Sequence, residues 1–184
     1  MKNKKLANLV SCALFAAIIC VLAPWSIPLT VPITAATFAV YVAGGVLGVK
    51  RAWVSVLLYI VIGAVGVPVF SNFRGGISAL VGPTGGYIIG YRPCVLICAA
   101  FADLAFRHKL GYVPSALIFA AGAVVGTAVL YAAGTAWYII MTKTALPAAI
   151  SACVIPFLPG DALKIAASAV LFFPLRKQLA GFGL

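Results

Sequence analysis

Long apolar runs, broken only by proline, glycine and short basic clusters, leave this chain few ways to fold. Hydrophobic residues make up 65% of it, charged residues 8%, and the mean hydropathy is +1.20. A soluble domain carries about a quarter charged residues, whereas each helical bilayer span takes about 20 mostly apolar ones. The expected fold is an all-α polytopic membrane protein. It is a bundle of about six transmembrane helices in one transmembrane domain covering residues 1–184.

Punctuation places the spans. The first runs from about Leu6 to Ala23 and stops at Pro24; the basic start, Met1 to Lys5, resembles a signal peptide. Ala23-Pro24-Trp25 makes a poor small-residue cleavage site, so this run is read as a retained first helix. A second span, about Ile33 to Val49, is expected to stop at Lys50-Arg51, and a third runs from Trp53 to near Val67. After a Gly-rich stretch, Ser71 to Gly86, the fourth continues to Phe106. The fifth covers about Pro114 to Met141, and the last runs from Pro159-Gly160-Asp161 to near Pro174.

Charge orients these spans. The chain has 13 Lys and Arg against two acids, Asp103 and Asp161, for a net charge of +11. In a soluble domain that balance would suggest nucleic acid, but here the basic residues stand singly or in pairs between apolar runs. With the N-terminus inside, nine of them (Lys2, Lys4, Lys5, Lys50, Arg51, Arg107, Lys109, Arg176, Lys177) fall on the cytoplasmic side. Only Arg74 and Lys143 fall in the opposite loops. The positive-inside bias puts both termini in the cytoplasm. The partner of this surface is the lipid bilayer, and no nucleic acid is expected.

Two basic residues, Arg92 and Lys164, lie within spans. Ionisable residues there are costly and usually face the protein interior or a water-filled cavity. Asp161 and Lys164 stand three apart, so they share one face of the last helix's first turn. Arg92 lies about 12 Å into the fourth helix if that helix starts near Thr84. Two cations and a carboxylate therefore gather at the outer mouth. Asp103, four residues before Arg107, is expected to form an i,i+4 ion pair. The segment Gly82-Pro83-Thr84-Gly85-Gly86-Tyr87 leads into the fourth helix with glycines that allow close backbone approach. No Lys-Ser or Lys-Thr follows those glycines, so the chain is not a nucleotide hydrolase. The implied ligand is small, carries an N–H-bearing head and an acidic group, and arrives from outside.

No catalytic residue or metal site is expected. The five cysteines (Cys12, Cys20, Cys94, Cys98, Cys153) form no CxxC pair, and His108 stands alone between Arg107 and Lys109. Cys94 and Cys98, four apart, read as small packing residues.

The motif Gly82-Pro83-Thr84-Gly85-Gly86-Tyr87, the later Pro159-Gly160-Asp161 with Lys164, and the six-span layout together resemble BioY. BioY is the biotin-specific S component of energy-coupling-factor (ECF) transporters. The resemblance covers essentially the whole chain. It implies a multi-pass protein of the bacterial plasma membrane that binds biotin at its outer face, as transported ligand and with no cofactor. Import would follow through an ECF coupling membrane subunit and ATPase subunits. By analogy Asp161 accepts the ureido N–H groups. Lys164 and Arg92 either meet the valerate carboxylate or hold Asp161. Tyr87, Thr84 and the Gly85-Gly86 backbone line the pocket, and Asn72 meets the ureido carbonyl. The resemblance also implies an AxxxA docking surface, matched by Ala13 and Ala17 on the first helix; small residues at that spacing let helices approach closely. Gly44/Gly48 and Gly122/Gly126 share the spacing and could simply pack within the bundle. Ser71 to Gly82 is expected to form part of a lid.

Rival readings are an S component for another vitamin, a self-sufficient secondary transporter of a small acid, and an intramembrane enzyme. The transporter would need an acidic residue deep in the membrane, while Asp103 and Asp161 lie near opposite surfaces. The enzyme would need a nucleophile with a base, or a metal.

Overall fold

The computed structural model describes residues 4–27, 29–108 and 110–181. Lys2 and Lys109, counted above for orientation, lie outside the described residues, as does the Lys4 side chain. Helix α1 (Lys4–Leu22) leads into a short antiparallel hairpin, β1 (Ser26–Ile27) with β2 (Ile33–Thr34). Then come α2 (Ala36–Leu47), α3 (Val49–Ala64), a 3-10 turn at Ser71–Phe73 and the short α4 (Ile77–Val81). Helices α5 (Gly85–Arg107), α6 (Tyr112–Thr142), α7 (Leu146–Cys153) and α8 (Leu158–Gly181) complete the bundle. Four helical stretches, Lys5–Leu22, Gly85–Arg107, Tyr112–Thr142 and Leu146–Leu179, are long and apolar enough to cross a membrane. With 12 and 16 residues, α2 and α3 reach only about 18 and 24 Å.

The long helices alternate in direction between a hairpin end and a terminal end. At the terminal end the start of α3 meets the start of α1, where the Arg51 guanidinium donates to Asn8 Oδ1 (3.3 Å) and the Cys12 thiol to the Arg51 carbonyl (3.6 Å). At the hairpin end the Asn72 N–H donates to the Pro24 carbonyl (3.1 Å). The apolar helix α2 is buried along nearly its whole length, as a helix hydrophobic on every side must be.

Small residues set the tightest contact, between α5 and α6. A Cβ on Gly126 would lie 3.2 Å from the sulfurs of both Cys94 and Cys98, and one on Gly122 would overlap Phe101. Both cysteines are free and fully buried, so they pack as small residues. Gly44 meets α5 in the same way, 3.0 Å from Cys98. These glycine pairs are internal packing sites.

Four expectations are corrected. Lys50 and Arg51 do not stop the second helix. The break is at Gly48 (φ 75°), a backbone turn that side chains rarely tolerate, and both basic residues lie in the first turn of α3. The last helix runs through Pro174 to Gly181; a proline removes one backbone bond, which a packed helix in a membrane protein can absorb. The loop before α8 contains a further helix, α7. Asp103 pairs with Arg176 of α8, because the bundle brings the ends of α5 and α8 together.

Candidate ligand-binding site

The first turn of α8 carries Asp161, 3% exposed, at the hairpin end of the bundle. The Lys164 ammonium donates to Asp161 Oδ1 (2.8 Å), to Thr37 Oγ1 (3.0 Å) and to the Thr34 carbonyl (2.8 Å). The Thr37 hydroxyl in turn donates to Asp161 Oδ1 (3.2 Å), and the Tyr131 hydroxyl donates to Asp161 Oδ2 (2.6 Å). Four elements, β2, α2, α6 and α8, thus converge on the Asp161–Lys164 pair.

Counting donors and acceptors shows what this cluster can still do. An ammonium has three N–H bonds, and all three of Lys164 are spent inside the protein. A carboxylate has about four acceptor positions, of which three are filled. Among the described residues the open position is on Oδ2, so Asp161 can accept an N–H from a ligand without losing a partner.

Asp161 and Lys164 line a cavity that encloses ≈ 540 Å³ of space, part of it open to solvent. Its walls are aromatic: Tyr59, Tyr87, Tyr91, Tyr131 and Phe157, with Phe157 stacked on Tyr87 at 6.3 Å and edge-on to Tyr131 at 6.3 Å. Ser71 and Thr84 add hydroxyls, and Val31, Pro32 and Ala23 close the hairpin side. Tyr87 is held in place through its hydroxyl, which donates to the Cys153 carbonyl (3.1 Å) and lies 3.0 Å from Thr135 Oγ1. The Tyr87 bond ties the end of α7 to the wall.

The structure brings Asp161, Lys164, Tyr87 and Thr84 together around this cavity. It places the other sequence candidates elsewhere. Gly85 and Gly86 are buried packing positions, where a Cβ would overlap the Leu80 carbonyl or the Trp137 side chain. The Asn72 amide oxygen accepts from the Ser26 hydroxyl (2.8 Å), and its backbone N–H reaches Ser26 Oγ (3.2 Å). The next residue, Phe73, meets Trp25 edge-on at 5.7 Å, so the two loops beside the cavity are clipped together. Arg92 is not on the cavity wall; its guanidinium lies over the Trp53 ring of α3, 5.2 Å from the centroid. Ala13 and Ala17 are exposed on one side of α1, among exposed Leu14, Ile18 and Val21.

Sequence reasoning missed Thr37 and Tyr131. The signal for Tyr131 was present: Thr127, Tyr131 and Thr135 recur every four residues in an otherwise apolar helix, a polar stripe on one face. Each member of it is bonded inward, to Tyr41, Asp161 and Tyr87 respectively.

The chain matches the model of the BioY family over residues 1–181. It is 36% identical over 171 residues to the biotin transporter BioY of Thermotoga maritima, covering 92% of this chain and 96% of that protein. A second relative, the biotin transporter BioY of Rhodobacter capsulatus, is 37% identical, with 86% and 87% covered. Among solved structures, the chain resembles that of the S-component for biotin from an ECF-type ABC transporter. The TM-score is 0.84 with 26% identity, covering 96% of this chain and 94% of that one.

Proposed function

This chain belongs to the BioY family, and we propose from that premise that it is the biotin-capturing S component of an ECF transporter. The observation that carries the reading is the buried Asp161 with one acceptor position open toward an aromatic-walled cavity. A ureido N–H is a donor with a polar, planar body, and a buried carboxylate left short of one donor is its complement. The tyrosine walls take the apolar ring system and chain. Lys164, with no donor to spare, acts through Asp161: it holds the carboxylate in place and oriented. Ser71 and Thr84 offer hydroxyls to the acidic end of the ligand.

In this reading the whole chain is one transmembrane domain, the hairpin end faces outward and both termini are cytoplasmic. The bias of Lys and Arg toward the terminal end supports that orientation. The clipped loops, from the hairpin across to Ser71–Gly82, cover the captured ligand. The coupling membrane subunit docks on the exposed Ala13/Ala17 side of α1, and ATPase subunits drive import. Proteolysis of the Ser71–Gly82 segment should slow when biotin is present; equal rates would remove the lid assignment.

The decisive experiment is equilibrium binding of biotin to detergent-purified protein, beside Asp161→Asn. Tight binding weakened by about tenfold or more, about 1.4 kcal/mol, is expected. Failure of the folded protein to bind biotin, with binding of another vitamin from a panel, would reassign the ligand.

A further inference from the structure

Arg92 is a permanent cation two turns into the membrane-embedded helix α5, and the described residues give it no hydrogen bond and no ion pair. Both carboxylates are committed elsewhere, Asp161 to Lys164 and Asp103 to Arg176. The direction of the side chain is informative. Tyr91, the preceding residue, packs against Tyr59 of α3 at 6.4 Å, yet the Arg92 guanidinium lies over Trp53. Trp53 is six residues nearer the start of α3, about 9 Å along the helix. Arg92 therefore runs away from the ligand cavity, toward the basic terminal end.

The Trp53 ring it covers belongs to a groove on the flank of α3 and α5, lined also by Val49, Lys50, Val54 and Leu96. Lys50 is exposed and also lacks a partner among the described residues, whereas neighbouring Arg51 is used by the Leu47 carbonyl and Asn8. Two cations beside an indole, at an apolar groove with no free carboxylate among the described residues to serve them, complement one kind of neighbour in a bilayer. That neighbour carries a phosphate at the membrane boundary and a hydrocarbon chain below it.

We propose that the α3–α5 groove binds an anionic phospholipid of the leaflet at the terminal end. The phosphate sits between Lys50 and Arg92, the Trp53 ring backs the guanidinium, and an acyl chain lies along Val54 and Leu96. That this leaflet is the cytoplasmic one rests on the orientation proposed above; the site itself does not.

The test is lipid retention by the full-length protein in native mass spectrometry, offered phosphatidylglycerol and phosphatidylcholine of equal chain length. Phosphatidylglycerol is retained preferentially, and Arg92→Gln and Lys50→Gln each reduce that retention by about fivefold. Biotin affinity of both variants stays within about twofold of the unaltered protein. Equal retention of the two lipids, or retention unaffected by Arg92→Gln, overturns the proposal. So does a loss of biotin affinity in Arg92→Gln matching that of Asp161→Asn, which would return Arg92 to the vitamin site. Should Arg92→Gln fail to fold, brominated lipids decide in the unaltered sequence. Trp53 emission, read by difference from Trp53→Phe, is quenched more by brominated phosphatidylglycerol than by brominated phosphatidylcholine. Equal quenching overturns the lipid site.

Discussion

The two carboxylates of this protein stand at opposite ends of the bundle, each with a cation from α8, and they do different work. Asp161 is buried and receives three donors from the protein, yet one side of it faces a cavity. The Asp103 side chain is about a third exposed (31%) and pairs with Arg176. Arg176 also donates to the Gly45 carbonyl (3.1 Å) and lies 4.6 Å over the Phe106 ring. That guanidinium ties together the ends of α2, α5 and α8 beside the Gly48 break. The same pair of residue types suits a binding element where burial leaves an acceptor open, and a fastening where solvent reaches it and its cation also donates to a helix-end carbonyl.

Removing one partner of the buried pair should have the largest effect. Lys164→Met leaves a buried carboxylate without its cation, a loss of about 3–5 kcal/mol, seen as a lower thermal unfolding midpoint and abolished biotin binding. The double variant Asp161→Asn with Lys164→Met should regain most of that stability while still failing to bind biotin. Stability that stays low in the double variant would mean that the ammonium matters through Thr34 and Thr37 instead. Next in size, Tyr131→Phe removes one donor to an ionised group, about 1.5 kcal/mol, and weakens biotin binding about tenfold in calorimetry. Ser26→Ala opens the clip between the loops at about 1 kcal/mol, and should raise the biotin dissociation rate about fivefold in stopped-flow measurements. Smallest of all, Asp103→Asn leaves biotin affinity within about twofold and costs at most about 1 kcal/mol of stability, because a pair this open to solvent is well screened. A tenfold affinity loss from Asp103→Asn would erase the contrast between the two acids.

Local pattern made part of this legible in the sequence. Apolar runs and their punctuation locate the long helices, and the i,i+3 spacing alone puts Asp161 and Lys164 on one helical face. What depended on distant elements was hidden. Thr37 lies 124 residues from Asp161, and only packing of α2 against α8 brings it there. Asp103 had a cation four residues away, and the tertiary fold supplied a better-placed one from α8. Arg92 sits at a depth that suggested the cavity, but depth along a helix says nothing about azimuth or the direction of a long side chain. From the sequence, Gly85 and Gly86 read as backbone offered to a ligand. They are small because Leu80 and Trp137 already occupy the space.

The closed accounting of donors around Asp161 and Lys164 has an electrical consequence. Their charges cancel, and no donor of Lys164 is left to neutralise a third group. A ligand with an ionised carboxylate therefore makes the loaded site anionic. Carrying that charge toward a negative interior is opposed by about 2.3 kcal/mol per 100 mV of membrane potential. Release of such a ligand on the far side is uphill in voltage, by an amount that a concentration gradient of about fiftyfold would offset at 100 mV.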